Sequence, residues 1–121
     1  MNDKIFFDTN VILYAYSVAI DHKNSVAKSL INITNSIIST QVLQEMCNVL
    51  IKKFKLDQVS ILKTVLELNK NFSVKMNNGG TIKEALKIHF KYHYSFYDSL
   101  IIASALENEC SILYSEDLQH N

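Results

Sequence analysis

Four acidic positions in this chain stand where carboxylates could act together. Asp8 directly follows the apolar run Ile5-Phe6-Phe7, and Glu45 lies early in a helical pattern that follows Ser36-Ile37-Ile38-Ser39. Asp98 heads the most apolar stretch of the chain, and Glu116-Asp117 comes just after Ser111–Tyr114 and Ser115. Four carboxylates gathered in one place repel one another, so a cluster of this kind is costly unless a cation neutralises it. An all-oxygen donor set suits Mg²⁺ or Mn²⁺ rather than zinc. Mg²⁺ takes few protein carboxylates and keeps several waters, so one ion can activate a water and clamp a phosphate at once. That is chemistry for phosphodiester hydrolysis. Each acid also has a plainer explanation. Asp98 can close a capping box with Ser95, while Asp8 and Asp117 can be ordinary loop acids and Glu45 a flanking surface charge.

Whether these acids meet depends on the elements that carry them. Ile5–Phe7, Ser36–Ser39, Phe72–Lys75 and Ser111–Tyr114 read as short strands without polar alternation. Between them the spacing predicts helices over Val11–Ser17, Lys23–Ile33, Thr40 to about Phe54, a segment capped by Asp57, Thr81 to about His93, and Asp98–Glu107. The helix after Asp57 is expected to bury Val59, Leu62, Val65 and Leu66, and Thr81 with Glu84 fits a capping box. Alternating strands and helices, with strands apolar on both faces, predict a parallel sheet covered by helices on each side. Ligands in such folds bind where loops leave the carboxyl ends of the strands. Asp8, Glu45 and Asp117 fall on that edge. Asp98 joins them if its helix starts near the exit of the fourth strand. At ~100° per residue, Glu45 lies ~40° outside Val49, beside the apolar stripe of its helix rather than opposite it.

Composition narrows the choices. The chain has 121 residues, about one domain, and no composition break or repeat divides it. Twelve cations balance twelve acids; every cation is Lys, and Pro and Trp are absent. Zero net charge excludes a generally basic nucleic-acid coat but not a local site. Without Arg there is no bidentate guanidinium grip, so phosphate must be met by Lys, amides or a metal. Cys47 and Cys110 are too few and too far apart for a disulfide scaffold or a four-Cys zinc site, and read as two buried thiols of a reduced, cytoplasmic protein. No apolar run approaches the ~18–20 residues of a membrane span, so no membrane role is expected. Asp8 and Asn10 interrupt what might pass for a secretory signal.

Other patterns compete. His89 and His93 are four apart, half of a zinc spacing, but no Glu follows His89; a packed or partly exposed histidine beside Ile82, Ala85 and Leu86 is the better reading. The aromatic run Phe90, Tyr92, Tyr94, Phe96 and Tyr97 could stack bases, though core plus a dimer interface is commoner. Lys83, Lys87 and Lys91 repeat every four residues as a basic stripe, a candidate RNA contact whose plainer explanation is a solvated helix face.

Four segments in order bear a family resemblance. Ile5-Phe6-Phe7-Asp8-Thr9-Asn10-Val11 resembles the opening strand of PIN-domain ribonucleases. Ser39-Thr40-Gln41-Val42-Leu43-Gln44-Glu45 resembles their second acidic segment, and Ser95–Ala105 their third. Leu113-Tyr114-Ser115-Glu116-Asp117-Leu118 is similar to the fourth. Among such domains the chain most resembles the VapC-type toxins of toxin–antitoxin pairs. The resemblance implies a three-layer α/β fold in one domain over residues 1–121, with a parallel sheet of about four strands flanked by helices. The chain departs from the family in stopping at Asn121, just after Asp117, where the family usually continues into a last edge strand, so a truncated domain without that fifth strand is expected. The implied activity is Mg²⁺- or Mn²⁺-dependent endoribonucleolytic cleavage leaving a 5′-phosphate and a 3′-hydroxyl. Asp8, Glu45, Asp98 and Asp117 match the family's acidic quartet, as catalytic and metal-binding residues; Thr9, Asn10 and Ser115 match supporting polar positions. For the toxin group the resemblance further implies an antitoxin partner and a homodimer. Two other classes stay open at this point: a non-catalytic PIN-like module that binds RNA or protein, and a metal-dependent phosphatase or receiver-like phosphoacceptor using Asp8.

Overall fold

Ile5, Phe6 and Phe7 are all buried, which strand alternation permits only if both faces of the strand are covered. The computed structural model, which describes residues 3–16 and 35–115, provides that cover. Strand β1 (Lys4–Phe7) lies inside a four-stranded sheet of order β3-β2-β1-β4, with β2 at Asn35–Ser39, β3 at Ser73–Lys75 and β4 at Ile112–Tyr114. Every pairing is parallel, with Phe6 opposite Ile37 on one side and Leu113 on the other. Five helices flank the sheet among the described residues: α1 (Thr9–Tyr16), α2 (Thr40–Lys52), α3 (Gln58–Asn71), α4 (Gly79–Tyr92) and α5 (Phe96–Glu107). The expected α/β architecture with a parallel sheet is therefore present. The helix expected over 23–33 and everything from Glu116 onward lie outside the described residues.

The core centres on Phe6, Phe7, Ile12, Ile38, Met46 and Leu68, with the Phe7 ring edge-on to Phe72 at 5.8 Å between centroids. Helix α5 is apolar around its circumference because it is covered on two sides. Ile101 and Ala105 belong to the sheet core, whereas Leu100 and Ala103 pack with Ala85 of α4.

Several helix boundaries shift from those expected, each for a capping reason. Ser39, still extended at φ −110°, caps α2 through its hydroxyl, so Thr40 is already helical. The Thr40 hydroxyl accepts from the Asn77 N–H instead. Helix α4 starts at Gly79 because Asn78, not Thr81, is the cap: its side chain accepts from the Thr81 N–H while the Thr81 hydroxyl accepts from the Asn78 N–H. Buried Thr81 also donates to Glu107 Oε1 at 2.7 Å, tying α4 to the end of α5. Helix α5 starts two residues before Asp98 because Ser95 is its cap. Asp57 caps α3 as expected, and the bonds from Ser60 hold its carboxyl below the ordinary value.

Burial differs more. Leu68 is the buried residue of α3, while Val59, Leu62 and Leu66 are 62%, 53% and 59% exposed and Val65 is half-buried. Their spacing is helical, but the face they share lies away from the sheet. Ile82 and Leu86 of α4 are likewise exposed, whereas Ala85 is buried and His89 is half-buried, as the partly exposed histidine of the sequence reading requires; its Nδ1 lies 2.5 Å from the Tyr94 carbonyl oxygen. Cys47 and Cys110 are free and half-buried rather than fully buried, and burial still pushes the Cys110 thiol up. Of the aromatic run, Phe96 packs on the α4–α5 core, whereas Phe90, Tyr92 and Tyr97 are exposed. No helix among the described residues is long and apolar enough to cross a membrane.

Candidate active site

Parallel pairing brings the carboxyl ends of β1, β2 and β4 to one edge of the sheet, and the polar residues of interest leave from there. The Asp8 N–H donates to the Tyr114 carbonyl at 3.0 Å, which fixes the exit of β1 against that of β4. This register sets Ser115 opposite Asp8, and the Ser115 hydroxyl donates to Asp8 Oδ2 at 2.7 Å. Asp8 Oδ1 accepts from the Thr9 N–H at the start of α1. Both residues are nearly inaccessible, at 6% and 5% exposure. A carboxylate this buried must be hydrogen-bonded or matched by a cation, and its neighbours supply the hydrogen bonds.

Thr9 also reaches the second acid. Its hydroxyl donates to Glu45 Oε1, so one residue contacts the carboxylates of both Asp8 and Glu45. Glu45 is half-buried on α2. Its other oxygen accepts from Gln41 Nε2 at 3.1 Å, one turn earlier on the same helix. The same Gln41 nitrogen donates to the Tyr97 carbonyl of α5 at 3.2 Å, immediately before Asp98. Asp98 itself is half-buried in the first turn of α5, where the helix dipole favours its charge. Of the suggested capping box with Ser95, the half in which the Ser95 hydroxyl accepts from the Asp98 N–H is formed, at 3.1 Å.

Asp8, Glu45 and Asp98 line one cavity of about 270 Å³, together with Thr9, Asn10, Gln41, Asn48, Val49 and Ile101. Among the described residues no lysine lines it. The larger cleft, about 520 Å³, lies at the amino ends of β1 and β2 beside Lys4, Lys70 and Asn71 and holds none of the four acids. Three of the four acids expected to meet therefore share one cavity; Asp117 lies outside the described residues. Ser115 contacts Asp8, while Asn10 lines the cavity. None of the lysines of the stripe lines it. Lys83, Lys87 and Lys91 are exposed on α4, with Lys87 paired to Glu84 at 3.4 Å and Lys91 over the Tyr92 ring.

Gln41 and Asn48 are cavity residues that the motif reading passed over. Both were within reach of it, because they lie four residues before and three after Glu45 and so share its helix face. The donor set is carboxylate, hydroxyl and amide oxygen, which fits a hard divalent cation. Among the described residues no three acidic, histidine or cysteine side chains form a ready-made cage. Mg²⁺ does not need one, since one or two carboxylates plus water and phosphate complete its shell.

The PIN-domain family model matches residues 5–121. No curated protein sequence matches the chain. Among solved structures, it is similar to Mycobacterium tuberculosis VapC20, a sarcin–ricin-loop-cleaving toxin. That match has TM-score 0.73 and 20% identity, over 93% of this chain and 91% of that one. It is also similar to a toxin–antitoxin complex from Klebsiella pneumoniae, with TM-score 0.72 and 19% identity over 91% and 84%.

Proposed function

The chain belongs to the PIN-domain family, and on that premise we propose that it is a metal-dependent endoribonuclease, the toxin of a toxin–antitoxin pair. The observation that supports this reading most is the convergence of Asp8, Glu45 and Asp98 on a single cavity at the carboxyl edge of the sheet. The two similar structures are of a toxin and of a toxin–antitoxin complex, in keeping with the same assignment.

Asp8 and Asp98 would hold the principal cation, Mg²⁺ or Mn²⁺, with Asp117 nearby and Glu45 either completing a second site or orienting the attacking water. When bound, the ion supplies Lewis-acid stabilisation of phosphate charge and acidifies water for attack. The protein's part is orientation. Thr9 and Ser115 fix the Asp8 carboxylate, Thr9 fixes one oxygen of Glu45, and Asn10 and Asn48 offer amides to the RNA backbone at the cavity. Three carboxylates gathered in one cavity would repel RNA, so the cation serves binding as well as chemistry. Two surfaces suit the proposed partners, an antitoxin and a second copy in a homodimer. One is the exposed face of Val59, Leu62 and Leu66, the other the exposed Ile82, Leu86 and Phe90 of α4. Each large apolar side chain left in water forgoes roughly 1.5–3 kcal/mol of burial. We place the protein in the cytoplasm, where an RNA-cleaving toxin meets its substrate.

The test is incubation of the purified chain with a mixed RNA pool, with Mn²⁺ or with chelator, beside Asp8→Asn. Metal-dependent cleavage giving 5′-phosphate ends and lost in the variant is expected. Binding without cleavage would support instead a non-catalytic module. Hydrolysis of a small phosphomonoester alone would point to a phosphatase.

A further inference from the structure

Gln41 is 6% exposed at the second position of α2, and its amide nitrogen makes two hydrogen bonds that join two acid-bearing helices. One goes to Glu45 Oε2, the other to the carbonyl of Tyr97, the residue before Asp98. Both partners are oxygens without hydrogens, so only the NH₂ end of the amide can face them, and its orientation is unambiguous. Thr9 holds the opposite oxygen of Glu45. The Glu45 carboxylate is therefore gripped at both oxygens, and Gln41 references one grip to the backbone that presents Asp98.

The remaining atom, Gln41 Oε1, is buried and has no hydrogen-bond partner among the described residues. An unsatisfied buried acceptor costs about 1–3 kcal/mol. A methionine or leucine would fill the same space without that cost and with at least equal helix propensity. A glutamine placed merely to pack would be a poor choice here; one placed to hold a carboxylate is a good one.

We propose that Gln41 is a positioning residue, which sets the Glu45 carboxylate against Asp98 and thereby tunes cation binding and turnover at the site; this rests on the nuclease reading above. Side chains that orient a ligand carboxylate typically change metal affinity or activity by about 10–100-fold when removed.

Gln41→Met removes both bonds and the orphan acceptor while keeping the volume. The expected result is a Tm within a few degrees of that of the unaltered protein, the two lost bonds being largely offset by relief of the orphan acceptor. Mn²⁺ Kd by calorimetry should rise about 10-fold, and kcat for RNA should fall by a similar factor with KM changed less than about twofold. In a Glu45→Gln background the same change should alter Mn²⁺ affinity less than about twofold, because its effect runs through Glu45. Equal losses in both backgrounds, a loss matched by a lower Tm, or unchanged affinity and kcat would each overturn the positioning role. Should Gln41→Met fail to fold, Gln41→Asn keeps the amide but is one methylene too short to reach Glu45, and it carries the same expectations; failure of both to fold would make the role structural and overturn the proposal. Unaltered protein that neither binds Mn²⁺ nor cuts RNA overturns the nuclease reading, and this one with it. Unaltered protein that does both while Gln41→Met behaves identically overturns this one alone.

Discussion

Replacing Asp8 by Asn separates a carboxylate kept for a cation from one kept for the fold. In the native chain Asp8 Oδ1 accepts from the Thr9 N–H and Oδ2 accepts from the Ser115 hydroxyl at 2.7 Å. An asparagine side chain there can keep its oxygen on Thr9 and turn its NH₂ to Ser115, whose hydroxyl oxygen then accepts. Both hydrogen bonds survive as neutral ones, together weaker by about 1–2 kcal/mol. What changes is the charge beside Glu45, to which Asp8 is linked through Thr9. Two carboxylates on the order of 6 Å apart repel by roughly 1–3 kcal/mol at an effective dielectric of 20–80. In chelator, Asp8→Asn is therefore expected to melt at or above the native temperature. At roughly 3–5 °C per kcal/mol for a chain of this size, the up to ~2 kcal/mol left after that weakening gives a gain of up to ~10 °C. With Mn²⁺ the order reverses. A cation held at 100 times its Kd stabilises the native chain by about 2.7 kcal/mol and the variant far less. Asp8→Ala is the control, because it removes both acceptors. Each bond to the charged group is worth about 1.5–3 kcal/mol, so after relief of repulsion a net loss of roughly 2–4 kcal/mol remains. Thermal melts followed by circular dichroism, with chelator and with Mn²⁺, read all three proteins. The reasoning is refuted if Asp8→Asn melts several degrees below the native chain in chelator, or if it retains the native response to Mn²⁺.

Other outcomes can be checked in the same preparations. Ser95→Ala should cost about 1 kcal/mol as a lost cap and leave cleavage metal-dependent, whereas Asp98→Asn should abolish cleavage without unfolding; an unfolded Asp98→Asn in thermal melts would assign that residue to the cap. The exposed lysines of α4 stand clear of the cavity, so Lys83/Lys87/Lys91→Ala tests whether they meet RNA at all. Involvement predicts weaker RNA binding and a shallower dependence of affinity on salt, and unchanged slopes would discard the stripe. The Asp57 cap has a carboxyl below its ordinary value in the folded chain, so its contribution is present above the unfolded pKa of about 3.8 and is lost as pH falls through the lower folded value. Native and Asp57→Asn proteins should differ in Tm near neutral pH and converge in acid; a difference that persists there would show that charge is not what the cap uses. Replacing Val59, Leu62 and Leu66 by Ser should lower self-association or antitoxin binding without lowering the Tm of the monomer, since all three are more than half exposed; a drop in monomer Tm in sedimentation-controlled melts would mean they pack internally.

The sequence by itself determined the alternation of elements and the edge on which chemistry would gather. Ile5-Phe6-Phe7 without polar alternation demanded cover on both faces, and hence an interior strand. Parallel pairing then obliged Asp8 and Ser115 to leave on the same side. The acid pattern was legible for the same reason, as Asp8 directly follows the end of β1 and Glu45 lies in the helix that follows β2. Asp98 was not decided by sequence. Its arrival depends on α5 lying across the sheet core, which rests on Ile101 and Ala105 facing the strands while Leu100 and Ala103 face α4. Helical periodicity also says which residues share a face but not whether that face meets protein or water. Val59, Leu62 and Leu66 fit the period and remain exposed. Gln41 marks the same boundary. Its spacing from Glu45 is local and readable, but its second bond, to Tyr97 O, joins residues 56 apart in sequence. Local spacing sets the geometry of a single helix turn, whereas contacts between helices depend on how they dock, and only the tertiary structure decides that.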